Sequence, residues 1–169
     1  MKIDIDIYSF NQVLIQYFFD YKNGSLHWKV SPKIGVNIGD KAGFIETRGY
    51  RVIKFMGKKY KEHKLIFLYH HGYMPKILDH INNDRADNRI ENLREVTRSQ
   101  NNQNANMRKD NTSGVKGVSY EKRTKKWIAQ LQYNKKTIVK KYDTFEEAKS
   151  SIYNLRQLYH KEFSNHGLV

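Results

Sequence analysis

The chain has 169 residues, with 31 Lys and Arg against 17 Asp and Glu and no Cys. The formal net charge of +14 points to a polyanionic partner, most often nucleic acid, while the lack of Cys excludes disulfide stapling, thiolate zinc fingers and thiol catalysis. Apolar residues make up only 38%, yet 12 Tyr, 8 Phe and 2 Trp supply large buried surfaces, so one ordinary domain or two small compact ones can form.

No apolar run approaches the ~18 residues that suggest a membrane span. The N-terminal residues 1–8 alternate Ile with Asp, unlike a signal peptide. The expectation is a soluble, unsecreted protein with no membrane partner.

Taken in chain order, the first 60 residues read as β-rich. Residues 7–19 predict a short helix, and Asn23-Gly24 predicts a tight turn before a strand over 26–30. Gly39, Gly43, Gly49 and Gly57 punctuate two further strands, 41–47 and 50–55. Met56-Gly57-Lys58 predicts a hairpin turn into 59–63. The apolar run 64–70 fits helix or strand by periodicity alone and is read as a helix. Residues 79–94 are polar, loop-like and rich in ligand-capable side chains. Thr97 predicts the N-cap of a helix starting at Arg98. That helix carries Asn101 and Asn102, poor helix formers that propensity does not explain.

Residues 108–114 contain no apolar residue, and 107–113 reads as a linker, flexible until bound. The chain beyond it predicts three strands, 117–120, 126–133 and 137–142. In the middle one Trp127, Ala129, Leu131 and Tyr133 share one face and Ile128, Gln130 and Gln132 the other. Thr144 and Glu147 form a capping box. The helix that follows lines up Phe145, Ala148, Ile152, Leu155, Tyr159 and Phe163. Positive charge is denser here: residues 107–169 hold 14 Lys and Arg against 6 Asp and Glu, and the longer stretch 1–106 holds 17 against 11.

Asp79-His80, Asn92 and Asn101 form the cluster with chemical potential. Cutting a phosphodiester requires a base that works near neutral pH, for which His is suited. It also requires stabilisation of the charge growing on phosphate and leaving oxygen, which a divalent metal provides. Mg²⁺ takes carboxylate and carbonyl oxygens and keeps several waters. One Asp, one Asn oxygen and one His make a minimal site of this kind. Adjacent residues in a regular strand point to opposite faces, so Asp79 and His80 share a site only if the strand ends or distorts there.

The ordered series His63-Lys64-Leu65-Ile66-Phe67, Gly72-Tyr73-Met74-Pro75, Asp79-His80-Ile81-Asn82-Asn83-Asp84, Asp87-Asn88-Arg89-Ile90-Glu91-Asn92-Leu93-Arg94, Thr97 and Asn101-Asn102 resembles the HNH endonucleases of bacteriophages and mobile introns. The resemblance covers residues 61–106. It implies a ββα-metal core in which His80 is the general base and Asp79 a metal ligand. It further implies that Asn92 ties down the loop and holds the base, and that Asn101 is the second ligand, with Asn102 the alternative. One Mg²⁺ or Mn²⁺ per site and products with a 5′-phosphate and a 3′-hydroxyl are implied as well. The last motif position is Asn here rather than the His of the family name, a variation found among phage and intron relatives.

Three segments of the C-terminal stretch resemble the APETALA-type DNA-binding domain: Ser113-Gly114-Val115-Lys116-Gly117-Val118-Ser119-Tyr120, Lys126-Trp127-Ile128-Ala129-Gln130-Leu131 and Tyr142-Asp143-Thr144-Phe145-Glu146-Glu147-Ala148. The resemblance implies a three-stranded antiparallel sheet in the major groove, backed by a helix. Candidate DNA contacts are Ser119, Arg123, Lys126, Gln130, Gln132, Lys136 and Lys140; Gln can read adenine, Arg can read guanine, and Lys can hold phosphate.

The expected architecture is therefore α+β: a β-rich region 1–60, a nuclease core 61–106, a linker 107–113 and a DNA-binding domain 114–169. The expected function is metal-dependent cleavage of double-stranded DNA, by a phage-encoded or homing enzyme in a bacterial cytoplasm, with no protein partner implied. The rival readings are a DNA-binding regulator that keeps the nuclease fold only as scaffold, and an RNA-binding protein whose aromatics stack bases.

Overall fold

A computed structural model describes residues 10–167 of the chain. Its contacts divide it into two units, Met1–Glu95 and Val96–Val169. Both are α+β, the class expected from the sequence, with small antiparallel sheets and four helices among the described residues. No helix there is long and apolar enough to cross a membrane.

In the first unit, helix α1 (Gln12–Phe18) is capped by Asn11, whose Oδ1 accepts from the Leu14 N–H at 3.0 Å. The sequence predicts helix over 7–19. Residues 7–9 lie outside the described part, and Phe19 already opens strand β1 (Phe19–Lys22), which pairs with β2 (Ser25–Trp28). Phe19 leaves the helix because its side chain is taken up by the core, against Trp28 and Phe55. The hairpin turn is Asn23-Gly24, both at positive φ, as the Asn-Gly signal predicts.

Next, β3 shrinks from the expected seven residues to Phe44–Ile45. It pairs with β4 (Arg51–Phe55), which pairs with β5 (Lys58–Lys61). Met56 and Gly57 make the β4–β5 turn at φ +48° and +77°. Helix α2 (Glu62–His71) ends at Gly72 in the left-handed conformation. Its last turn is tied to α1 by Gln12 and Gln16, whose side-chain amides both donate to the Tyr69 carbonyl. The stretch expected to be loop-like contains strands β6 (Leu78–His80) and β7 (Leu93–Glu95), joined by a loop ending in a 3-10 turn at Ile90–Asn92. Leu14, Ile15, Phe19, Leu26, Trp28, Ile53, Phe55, Leu65 and Ile66 fill the core of this unit.

The second unit opens with α3 (Arg98–Asn104), capped by Thr97 and Gln100 in a reciprocal box. Strands β8 (Val118–Glu121), β9 (Lys126–Tyr133) and β10 (Lys136–Tyr142) form one sheet in the order β10-β9-β8. Helix α4 (Phe145–His160) covers one face, with Ala148, Ile152 and Leu155 packed on Ala129, Leu131 and Val118. Phe163 falls in a short 3-10 turn beyond α4 rather than in the helical stripe.

Helix α3 clusters with this unit rather than with residues 61–95 because its last turn is tied in: Asn165 donates to the Asn104 carbonyl at 2.7 Å, and Lys116 donates to the Gln103 carbonyl at 2.9 Å. The segment expected to be a flexible linker is also hydrogen-bonded within the unit. Ser113 donates to the Val118 carbonyl at 2.7 Å and Asn111 to the Val115 carbonyl at 3.2 Å.

Gly43, at φ +78°, has the tightest backbone approach in the first unit: a Cβ there would lie 2.2 Å from the Val52 carbonyl oxygen. Gly35, at φ +84°, faces open space. Gly43→Ala is expected to cost ~2 kcal/mol or more, because it adds a backbone clash to the strain of positive φ; Gly35→Ala is expected to cost about 1 kcal/mol from strain alone. Urea unfolding followed by Trp28 fluorescence in a Trp127→Phe background reads this unit and ranks the two variants.

Candidate functional site

The β6–β7 hairpin positions the predicted acid and base. Its register pairs Asp79 with Arg94 and His80 with Leu93. Asp79 Oδ2 accepts from Arg94 Nε at 3.2 Å and from a terminal Arg94 nitrogen at 3.1 Å, so the cross-strand partner holds the buried carboxylate. His80 is the last residue of β6. A turn follows at once, with Asn83 at φ +62° donating to the His80 carbonyl at 3.0 Å. The strand thus ends where the sequence argument required it to end or distort.

The His80 ring is buried, and a chain of polar groups holds it. Its Nε2 lies 2.9 Å from Asn88 Oδ1. The Asn88 side-chain amide donates to Glu62 Oε2 at 2.8 Å, and Glu62 Oε1 accepts the Leu26 N–H at 2.9 Å. Arg51 adds an ion pair to Glu62 at 3.8 Å. Glu62 and Asn88 are 1% and 2% exposed.

This chain sets the tautomer of His80. An ionised Glu62 only accepts, so the Asn88 NH₂ must point to it. The Asn88 carbonyl oxygen must then face His80, and it too only accepts. His80 therefore donates its Nε2–H to Asn88 Oδ1. Burial pushes the Glu62 carboxyl above its ordinary value, while the Leu26 N–H, Asn88 and Arg51 pull it down.

His63, from the first turn of α2, packs edge-on against His80 with ring centroids 5.0 Å apart, and Tyr50 lies 6.2 Å away. Burial, together with the His80, Lys61 and Lys64 charges, depresses the His63 pKa to about 3.

Asn92 ties down the loop. Its Nδ2 donates to Asn82 Oδ1 at 2.9 Å and to the Asp87 carbonyl at 2.7 Å, and its Oδ1 accepts the Asn82 N–H at 3.1 Å. The bond to the His80 ring comes from Asn88, a residue the sequence argument passed over. Asn101 lies on α3 of the second unit, half-buried, its N–H donating to the Thr97 carbonyl at 3.0 Å. Asn102 lines a cavity of that same unit.

Among the described residues, no three His, Cys, Asp or Glu side chains group as a metal cage. The donors expected are one carboxylate and one amide oxygen, which suit a hard cation that keeps most of its water.

The predicted DNA contacts divide between the two faces of the second unit's sheet. Register places Ser119, Lys126, Gln130 and Gln132 on the face away from α4, with Ser119, Gln130 and Gln132 exposed. Lys126 is ion-paired with Asp143. Lys136 and Lys140 are exposed but pair with Tyr133 and Ala129, so their side chains belong to the α4 face. Arg123 is exposed in the β8–β9 turn.

An HNH endonuclease family model matches residues 60–103, the end of β5 through most of α3. That match supports a nuclease of HNH type. No match supports the APETALA-type resemblance of the C-terminal stretch. Comparison with curated proteins and with solved structures gave no match.

The His63 shift has a definite consequence for stability. Its folded pKa lies below its unfolded value, so its contribution is fully present above about pH 6.5 and is lost as pH falls toward about 3. Lowering the pH from 7 to 5 is expected to remove roughly 2 kcal/mol from the wild type, and His63→Gln should lose that dependence. The raised Glu62 carboxyl acts in the opposite direction but is common to both proteins. Urea midpoints at the two pH values, followed by Trp28 fluorescence with Trp127→Phe in both, compare them.

Proposed function

We propose that this chain is a metal-dependent DNA endonuclease in which His80 deprotonates the attacking water. The single observation that carries the reading is the buried chain from Glu62 through Asn88 to His80, which receives the Nε2–H of the ring and so orients it. The family match over residues 60–103 supports the reaction class.

Neutral His80 takes a proton from water, and the resulting hydroxide attacks phosphorus in line. Asn88 and Glu62 hold the ring and stabilise the imidazolium that forms. Asn92 fixes the loop that carries Asn88. Asp79, oriented by Arg94, would hold a Mg²⁺ or Mn²⁺ ion, with Asn101 the second ligand only as the resemblance implies it, and such an ion would supply stabilisation of the 3′ leaving oxygen. The products would carry a 5′-phosphate and a 3′-hydroxyl.

The second unit is proposed to bind duplex DNA through the face carrying Ser119, Gln130 and Gln132, with Arg123 beside it, in the manner of the APETALA-type domain it resembles. Exposed Gln side chains on an uncovered sheet face and 15 Lys and Arg against 6 Asp and Glu over residues 96–169 support this. Lys136 and Lys140 would reach phosphate from the edge strand. A phage or mobile-element origin and a bacterial cytoplasmic setting follow from the resemblance.

The ion pair between Asp79 and Arg94 favours one rival, a DNA-binding regulator that does not cut. Plasmid nicking separates the two. With Mg²⁺, His80→Ala is expected to lose about 10²- to 10⁴-fold in rate, Asp79→Ala to be inactive, and Asn88→Ala to lose about 10- to 100-fold. EDTA should abolish nicking, and excess Mg²⁺ or Mn²⁺ should restore it. Full activity in both His80→Ala and Asp79→Ala would end the catalytic reading. Wild-type binding without nicking under any divalent ion would establish the regulator.

A further inference from the structure

The inner face of α4 changes character near its end. After the apolar Ala148, Ile152 and Leu155 come Arg156, 1% exposed, and His160, 6% exposed. Arg156 donates through one terminal nitrogen to the Lys116 carbonyl, and the other lies 3.4 Å from His166 Nδ1. Lys116 in turn donates to the carbonyls of Gln103 and Ala105. His160 Nε2 donates to the Gln132 carbonyl at 3.1 Å, and its Nδ1 is buried without a hydrogen-bond partner.

Among the described residues, no carboxylate forms an ion pair with these groups. Burial and the charge of Arg156 push the Lys116 ammonium down to about 8, and burial pushes Arg156 down to about 10. The His160 imidazole is lowered by burial and by both neighbouring cations, against the opposing effect of its Gln132 bond. A buried charge without an opposite charge is unfavourable by several kcal/mol, so three cationic or cation-forming groups that gather without an acid leave a place for an anion.

That place exists. Lys116, Arg156 and His160 line a cavity of about 390 Å³ whose lining also includes the exposed Arg98 of α3 and Lys135 of the β9–β10 turn, and no Asp or Glu. All of these residues belong to the second unit. The guanidinium fork of Arg matches phosphate oxygens two at a time, and an ammonium adds a point charge.

We propose that this cavity is a phosphate-binding site in which Arg156, Lys116 and His160 hold one phosphoryl or phosphodiester group and Arg98 and Lys135 form its rim. Gln130 and Gln132 of the sheet and Asn102 of α3 also line the cavity, so it adjoins the sheet face proposed to meet DNA. Its phosphate has two sources, a free phosphate compound or the backbone of a nucleic acid.

The test uses the full chain in EDTA, so that no duplex is cut. Inorganic phosphate, and separately pyrophosphate, are titrated against sodium chloride of equal ionic strength. Thermal unfolding and the side-chain nitrogen NMR signals of His160 are followed. The site requires a rise in Tm above the chloride control together with a movement of the His160 Nδ1 signal. Arg98→Ala with Lys135→Ala, both exposed and expected to fold, should weaken binding at least 10-fold. Lys116→Met, once circular dichroism shows it folded, should abolish the phosphate-specific shift.

A duplex arm identifies the source. If the backbone supplies the phosphate, the rim double variant lowers duplex affinity, and the slope of log affinity against log salt falls by about 1 to 2. If phosphate or pyrophosphate binds while duplex affinity and slope are unchanged, the source is a free phosphate compound. Tm and His160 signals that follow the chloride control for phosphate, pyrophosphate and duplex alike would overturn the proposal.

Discussion

The buried carboxylate of Glu62 is the constraint around which the first unit is organised. A carboxylate out of water must be met by donors, and Glu62 draws them from three places: the Leu26 N–H of β2, the Asn88 amide in the β6–β7 loop and the Arg51 guanidinium of β4. A side chain in the first turn of α2 thereby fixes how a strand, a sheet and a loop meet. The same set of bonds fixes the proton position on His80. Structure and candidate chemistry depend on one group, so moving that group would disturb both.

The two units treat charge in different ways. In the first, acids and bases meet in pairs: Asp79 with Arg94, Asp87 with Arg89, Glu62 with Arg51. In the second, the ion pairs among the described residues sit at partly or fully exposed positions, such as Lys126 with Asp143 and Lys141 with Glu121, while Lys116 meets carbonyl oxygens and Arg156 a carbonyl oxygen and the His166 ring. Carbonyls meet the directional needs of N–H groups without neutralising their charge. The first arrangement suits a site that must hold its own geometry, and the second leaves positive potential to be used by something else.

Much of the C-terminal unit was legible because its signals are local. The alternation in 126–133 and the Thr144–Glu147 capping box each specify structure within a few residues, and the three strands and helix appear within a residue or a few of where these signals put them. The first unit was less legible for the opposite reason. Phe19 reads as helical until its partners Trp28 and Phe55 are in view, and β7 is too short for any periodicity. Within the candidate site, Asp79, His80 and Asn92 stood out as ligand-capable residues in a polar stretch. Asn88 sat in the same stretch and looked like turn chemistry. Glu62, a charged residue at the start of an apolar run, gave no sign that it would be buried. Which cation would face which sheet side was decided by strand register, so Lys136 and Lys140 could not be separated from Gln130 and Gln132 by residue type.

The Arg94 guanidinium resting on Asp79 bears on what holds the hairpin together. Many small nucleic-acid-binding folds are stapled by an ion and collapse when a chelator removes it. Here the strand opposite brings its own positive charge to the acid, so β6 and β7 stay zipped whether or not an ion arrives. On the proposed reading, a cation at Asp79 would exchange with a resident counter-charge rather than nucleate the fold, which would make its occupancy a reversible matter of concentration in the surrounding medium.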